Sequence, residues 1–496
     1  MCVLTNGYFL LFESAPTLDT NVPSVPPLDR QRTCFDQNNA IVRLKLSPCW
    51  WAFHSSGLIY LDHSVTMAMP EGIEVREISH DVGRGLFAQR AFESGQALFE
   101  ESPLISAQFC WNEAYGYSCC HFCMTPLEDA QENIHRLTRN SNWVVPHPQC
   151  NPNRLEEHVQ CPDCLIKYCS KDAQENIQRL TRNSNWVVPH PQCNPNRLEE
   201  HVQCPDCLIK YCSSGCQERA WHLFHKSLCR GMAAREANES EPWSKLLNDW
   251  RAMHYPPETT SITLLTRILA SILQSNQPDT LKAQYLSFMH ATVSSDDNMA
   301  HKILGDGFSH QLEHLRQALV PLFPQPEVAQ FLSLEGFRTL FALVGRNGQG
   351  VATSPWSHWV KNVEALPLSD AERGDVMAFI DQVYEALDAE SGSFLDNEGS
   401  GLFLLQSLCN HSCVPNAQIE FPFNNHVLMV KAIRPIQAGE EILISYLDDH
   451  QLERSRHSRR AILSQNYLFS CSCPKCQSQA DDPDETSEEE MSEDEQ

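Results

Sequence analysis

Two short stretches of the 496-residue chain carry side chains that could do chemistry together: Asn410 and His411 in "NHSCVPN", and Tyr446 further along in "GEEILISYLD". An amide and an imidazole can hold a polar ligand, and a phenol can orient an incoming group and stabilise charge near it, a role that needs geometry more than a shifted pKa. Read singly, each has a plainer meaning, since Asn, Ser and Pro make turns and "EEILISYL" has the pattern of a strand. "GRGLFA", beginning Gly83, Arg84, Gly85, adds two glycines through which backbone could approach a ligand, although a lone G-x-G is as readily a plain turn.

The cysteines speak more specifically. The chain has 22 of them and is too long to need them as staples for a small core. The apolar start "MCVLTNGYFLLF" lacks a preceding Lys or Arg and a clean small-residue cleavage site, and no run of about 18 apolar residues follows. The expectation is a reducing compartment, where close cysteine pairs bind metal. Cys120-x2-Cys123, Cys204-x2-Cys207, Cys212-x3-Cys216 and His225-x3-Cys229 make eight ligands, enough for two closed tetrahedral zinc sites. Closed sites organise a fold and leave no position for chemistry. Cys471, Cys473 and Cys476 supply three more thiolates, one short of a set.

One block complicates that count. Residues 129–170, ending "VQCPDCLIKYCS", recur at 172–213 with His135 replaced by Gln178. Two nearly identical copies are too few for a stacking array and read as an in-frame duplication or a gene-model error. The first copy has Cys161, Cys164 and Cys169, but Ala173 stands where the fourth cysteine should be and no H-x3-C follows. Joining its knuckle to Cys212 closes a far longer loop than the second copy needs, at a cost of roughly 2 kcal/mol. The second copy is therefore expected to hold metal and the first to be a spare.

The elements that must position these groups read as α+β. Residues 1–68 are Pro-rich and without period, a non-domain extension, with Met67 and Met69 as plausible later starts. A β-rich part at 69–119 leads into a cysteine-rich part at 120–229. Residues 230–390 carry helical stripes such as "LLTRILASILQS" and "VMAFIDQVYEALDA", and 391–448 return to short strand-like runs. A cysteine cluster at 449–479 and an acidic tail at 480–496 close the chain. A formal charge of −26 argues against phosphate backbones and anionic lipid and favours basic partners. "RSRHSRR", 454–460, reads as a solvated helix face rather than a nuclear or nucleic-acid signal.

Taken together, "GRGLFA", "CNHSCVPNA", "GEEILISYLD" and "FSCSCPKC" resemble a SET domain with its post-SET cysteine cluster. The inserted cysteine and histidine spacing resembles a MYND finger. The combination, over about residues 71–480, is that of the SET and MYND domain lysine methyltransferases. The resemblance implies a SET β-fold split by the finger and a helical insert, with S-adenosylmethionine as cofactor. It implies that Asn410 and His411 contact that cofactor in a pseudoknot, with Phe469 near the adenine and Gly83, Arg84 and Gly85 nearby. Asn347 in "GRNGQG" would reach it from the insert, the other reading being a Gly-rich turn. Tyr446 and Tyr467 would be the catalytic tyrosines that line the lysine channel, Tyr446 also touching the cofactor.

The same resemblance groups Cys120, Cys123, Cys212 and Cys216 on one zinc and Cys204, Cys207, His225 and Cys229 on another. It gives Cys413 as fourth ligand to Cys471, Cys473 and Cys476, for three structural ions. The gap from Cys123 to Cys204 is longer than the family's. The tetratricopeptide-like domain that usually follows the post-SET cluster has only the acidic tail in its place. Implied partners are lysine-bearing basic proteins, histone or ribosomal, and proline-rich peptides at the finger. A monomer in the cytoplasm, with the nucleus as second compartment, completes the expectation. A catalytically idle zinc scaffold is the alternative, against which intact Asn410, His411 and Tyr446 argue.

Overall fold

The computed structural model describes residues 69–79, 83–114, 116–138, 159–160, 167–168, 201–229, 242–253, 262–288, 308–391 and 396–482. The expected leader, the first copy's cysteines and all but the start of the acidic tail lie outside the described residues.

Period-two burial builds the β part. In Leu428–Ala432 the side chains of Leu428, Val430 and Ala432 are buried while those between are half-buried. This strand is the middle of an antiparallel sheet with Ala417–Glu420 on one side and Ala97–Glu101 on the other. A second antiparallel sheet places Asn397–Leu402 between Ile105–Gln108 and Gly348–Thr353. Its centre requires Gly399, where a Cβ would lie 2.3 Å from the Ala107 carbonyl oxygen and 2.4 Å from Met124 Cε. Ile73–Ser79 and Gly83–Ala88 form an antiparallel pair. Leu86, Phe92, Phe99, Val351, Phe403, Val430 and Ile442 pack as one core beneath these sheets.

The segment expected to be a helical insert is interrupted. Helix Leu334–Asn347 passes directly into strand Gly348–Thr353, so "GRNGQG" is a helix end and a strand start, not a turn. "GQGVAT" was hidden because it lacks apolar alternation; backbone pairing with Asn397–Leu402 overrides its weak propensity. The helices around it pack as the stripes require. Ile262–Gln274 buries Ile262, Leu265, Leu269 and Ile272 in a core that also contains Trp250, Leu315, Phe337 and the finger's cysteines. Arg267 on that helix is fully buried, lies 4.5 Å over the Phe224 ring and donates to the Ser106 carbonyl.

The opening of the first copy of the duplicated block is built into the fold, while its cysteines, expected to be a spare set, lie outside the described residues. Its opening residues form helix Ala130–Thr138, and Ala130, Ile134 and Leu137 enter a third core with Trp356, Trp359, Val376, Ile380, Val383 and Leu387. Trp356 and Trp359 stack there at 4.9 Å. Asp129 and Glu132 start the helix as a reciprocal capping box. Glu128, just outside the block, accepts from Asn133 Nδ2 at 2.8 Å and from Arg136, whose guanidinium lies 4.3 Å over Tyr117. In the second copy the equivalent of Glu128 is Lys171, which can do neither. The two knuckle hairpins pair alike, Val159 with Tyr168 and Val202 with Tyr211.

Candidate functional site

Each finger ligand is delivered by a small local device. Hairpin Val202–Gln203 with Lys210–Tyr211 brackets Cys204 and Cys207, and Leu208, just after Cys207, takes a left-handed φ of 60° to close the knuckle. Ser213 caps helix Ser214–Ala220 by accepting from the Cys216 N–H, which sets Cys216 beside Cys212. A π-helical turn, Trp221–His225, then points His225 inward.

Two sets of four result, each with ligand atoms within 4.8 Å of one another: Cys120, Cys123, Cys212 and Cys216, and Cys204, Cys207, His225 and Cys229. In the first, Cys123, Cys212 and Cys216 have sulfurs 3.6 to 3.7 Å apart. In the second, Cys204 and Cys229 stand 3.6 Å apart and His225 Nε2 lies 3.4 Å from the Cys207 sulfur. A tetrahedral zinc with bonds of about 2.3 Å to sulfur needs sulfurs about 3.8 Å apart, so both sets fit the ion. Burial pulls the His225 pKa down to about 4, leaving the neutral imidazole that a metal requires.

The second centre of interest forms where two segments meet. Asn410–His411 pairs in parallel with Leu443–Ile444. Asn416, fully buried, locks the pair from below: its Nδ2 donates to the Glu441 carbonyl at 2.7 Å and its Oδ1 accepts from the Leu443 N–H at 2.7 Å. Asn410 Nδ2 donates to Glu441 Oε1 at 2.8 Å and to the Arg84 carbonyl at 3.1 Å. Gly85 is needed for this contact, because a Cβ there would meet Glu441 Oε1 at 2.7 Å and Asn410 Nδ2 at 3.0 Å. Gly83 has φ +79°, a conformation that favours glycine. The Arg84 guanidinium is directed to the Ser287 carbonyl.

Tyr446 follows at once. Its hydroxyl donates to the Cys409 carbonyl at 2.8 Å, and its N–H donates to His411 Nδ1 at 2.9 Å. That bond leaves the His411 proton on Nε2, which faces the Cys413 sulfur at 3.3 Å. Cys413 belongs to a third set with Cys471, Cys473 and Cys476, whose spacings from Cys413 include 3.9 Å to Cys471 and 3.7 Å to Cys476 and also fit zinc. Within it Cys413 donates to Cys471, which holds the Cys471 thiol down and pushes the Cys413 thiol up. A bound cation would relieve that sharing of charge.

The chain end completes the wall. Helix Arg456–Tyr467 stops at Leu468, whose left-handed φ of 67° reverses the backbone and returns Phe469 to the site. Ring centroids of Tyr446 and Tyr467 are 4.8 Å apart, and Phe469 lies 6.2 Å from Tyr446 and 6.0 Å from His411. Tyr446, Tyr467 and Phe469 pack on the same small core as Cys413, Cys471 and Cys476. Burial raises the Tyr467 pKa to about 12 and that of Tyr446 further, so both phenols are neutral donors at any ordinary pH.

The structure thus brings Asn410, His411, Tyr446, Tyr467 and Phe469 together with Cys413 between them. Asn347 ends its helix with Nδ2 on the Leu343 carbonyl at 2.8 Å, a bond within its own helix. The arginine run is not the solvated face its composition suggests: Arg459 is fully buried, donating to Gln479 Oε1 at 2.7 Å and facing the Cys476 sulfur at 3.6 Å. Arg456 donates to the Cys476 carbonyl. Helical spacing at 456 and 459 beside a cysteine cluster was the available signal. Asn416, the last residue of "NHSCVPN", was readable as a turn former only.

Residues 83–447 match the SET domain family. The protein-lysine N-trimethyltransferase SMYD5 of Gallus gallus is 44% identical over 417 residues, covering 84% of this chain and 89% of its own length. The human protein of that name is 42% identical over the same shares. The histone-lysine N-methyltransferase SMYD3 of Mus musculus is 44% identical over 86 residues, 17% of this chain and 19% of its own. With the site geometry and these matches in agreement, the chain belongs to the SMYD family of SET-domain lysine methyltransferases.

Proposed function

We propose that this chain is a protein-lysine N-methyltransferase that uses S-adenosylmethionine and acts on lysines of basic proteins, histone or ribosomal, with trimethyllysine as its end product. The observation that carries the reading is the convergence of Asn410, His411, Tyr446, Tyr467 and Phe469 on one aromatic wall, with the Tyr446 hydroxyl anchored on a backbone carbonyl. The name of the SMYD5 relatives, N-trimethyltransferase, supports both the reaction and its degree.

The residues present suit the cofactor. Asn410 and His411 are half-buried and fixed at one edge by Leu443–Ile444, and Phe469 offers a ring for a purine. When bound, S-adenosylmethionine supplies a sulfonium methyl that a neutral amine can displace in line. Asn410 and His411 would hold it, Gly83, Arg84 and Gly85 would contribute backbone, and Asn347, at the end of its helix, would reach it from the insert. Tyr446 and Tyr467 exclude water and favour the uncharged lysine, because a low-dielectric wall disfavours the ammonium. The Tyr446 hydroxyl stabilises charge beside the reacting carbon while held against rotation by Cys409.

Three zinc ions on the twelve ligands organise this machinery and take no part in transfer. An acidic chain favours encounter with basic substrates. The finger is the place for proline-rich partners, and the working compartment is the cytoplasm, with the nucleus second. Labelled methyl transfer into a proteome extract tests the reading. Tyr446→Phe should lose about tenfold or more of the wild-type signal, whereas labelling at background by both would sink the enzyme and leave the scaffold.

A further inference from the structure

We propose that Glu101 is a positioning residue for the methyl-transfer site: its carboxylate fixes the turn whose last carbonyl, that of Cys409, orients the Tyr446 hydroxyl. The inference rests on the methyltransferase reading of that site. Glu101 ends strand Ala97–Glu101 and is buried, with 6% of its surface exposed. Its two oxygens accept from the Leu405 and Gln406 N–H groups, each at 2.9 Å. Those amides open a 3-10 turn, Gln406–Leu408, in which Leu408 N–H donates to Leu405 and Cys409 N–H donates to Gln406, both at 2.9 Å. Two bonds therefore separate the carboxylate from the Cys409 peptide, and one more reaches Tyr446.

A buried carboxylate without a cation is costly, and backbone amides are the partners that offset it here. Burial raises the Glu101 carboxyl to about 7 despite those amides, and its charge reaches the buried Cys409 thiol, which burial pushes up. A neutral side chain could cap the same turn without that cost, which makes the anion informative: it alone accepts from both amides with no competing proton. Asn410 and His411 have their own anchors in Leu443, Ile444, Glu441 and the Arg84 carbonyl, so losing Glu101 acts on the hydroxyl and spares the cofactor contacts.

Glu101→Gln keeps the shape and turns one acceptor into a donor facing an amide. The expected result is a loss of about tenfold in kcat with the calorimetric Kd for S-adenosylmethionine within about twofold of wild type, and Glu101→Asp lying between. Unchanged kcat, or kcat and cofactor affinity falling together, would overturn the proposal. If neither variant folds, the wild-type chain labelled at leucine and glutamine amides decides. Leu405 and Gln406 amide protons should move together as the Glu101 carboxyl, raised by burial, titrates, and amides that stay still across the whole pH range in which the chain is folded would refute the contact. A wild-type chain that transfers no methyl would overturn the proposed function instead, while the amide titration would still read the Glu101 bond.

Discussion

One 42-residue sequence stands twice in this chain, and the fold draws on different ends of its two copies. The first copy supplies helix Ala130–Thr138 to the core around Trp356 and Trp359. The second supplies Cys204, Cys207 and Cys212 to the finger. Since the copies differ only at His135 and Gln178, their own sequence cannot make that choice. The flanks make it. Glu128 precedes only the first copy and binds Asn133 and Arg136, whereas Cys216, His225 and Cys229 follow only the second. Local propensity is equal in the two places, and tertiary partners decide.

The sharpest way to break the comparison is through metal. Cys207→Ser should remove one of three zinc ions per chain and unfold the finger locally, since closed zinc sites of this kind contribute on the order of 10 kcal/mol to folding. Cys164→Ser, the same change in the first copy, should leave zinc content and melting untouched. Zinc counted by atomic absorption on purified protein reads both. Parallel loss from the two variants would mean that both knuckles hold metal, and retention by both would mean that they exchange places.

Packing gives a smaller effect. Ile134 is fully buried, and Ile134→Ala should cost about 2 to 4 kcal/mol in denaturant unfolding. Ile177 is its counterpart in the second copy, and Ile177→Ala should stay within about 0.5 kcal/mol of wild type. A cost at Ile177 equal to that at Ile134 would show that both isoleucines are packed at once, and small costs at both would show that either helix can fill the place beside Trp359.

How legible this was from sequence follows the same line. Ligand types and spacing announced the Cys and His clusters that could hold metal, because a tetrahedral ion imposes its own short-range arithmetic on cysteine and histidine. Asn410, His411 and Tyr446 were readable through resemblance, and the structure sets them side by side. What stayed hidden depends on distant partners. Strand Gly348–Thr353 has no periodicity of its own and exists because Asn397–Leu402 pairs with it. Arg459 looked like one charge in a solvated run, and only the folded cysteine cluster explains its burial. Glu101 sits in an ordinary strand, and its role appears when residues 405 and 406, three hundred positions later, point their amides at it.

The smallest expected effect is the most diagnostic of the unequal use of the copies. Removing residues 139–181 joins Thr138 to Arg182 and regenerates a single uninterrupted block, because Arg139 and Arg182 are the same position in the two copies. The excised protein keeps Glu128 with its helix and Cys216 with its knuckle, so both anchors survive. Shortening a connection by this much changes loop-closure entropy by only about 1 kcal/mol, in the stabilising direction. The melting temperature should therefore hold or rise by a few degrees, zinc should stay at three per chain, and methyl transfer should lie within about twofold of the parent. A marked loss of activity on excision would mean that the intervening residues have a task of their own, and that the duplication has been put to use.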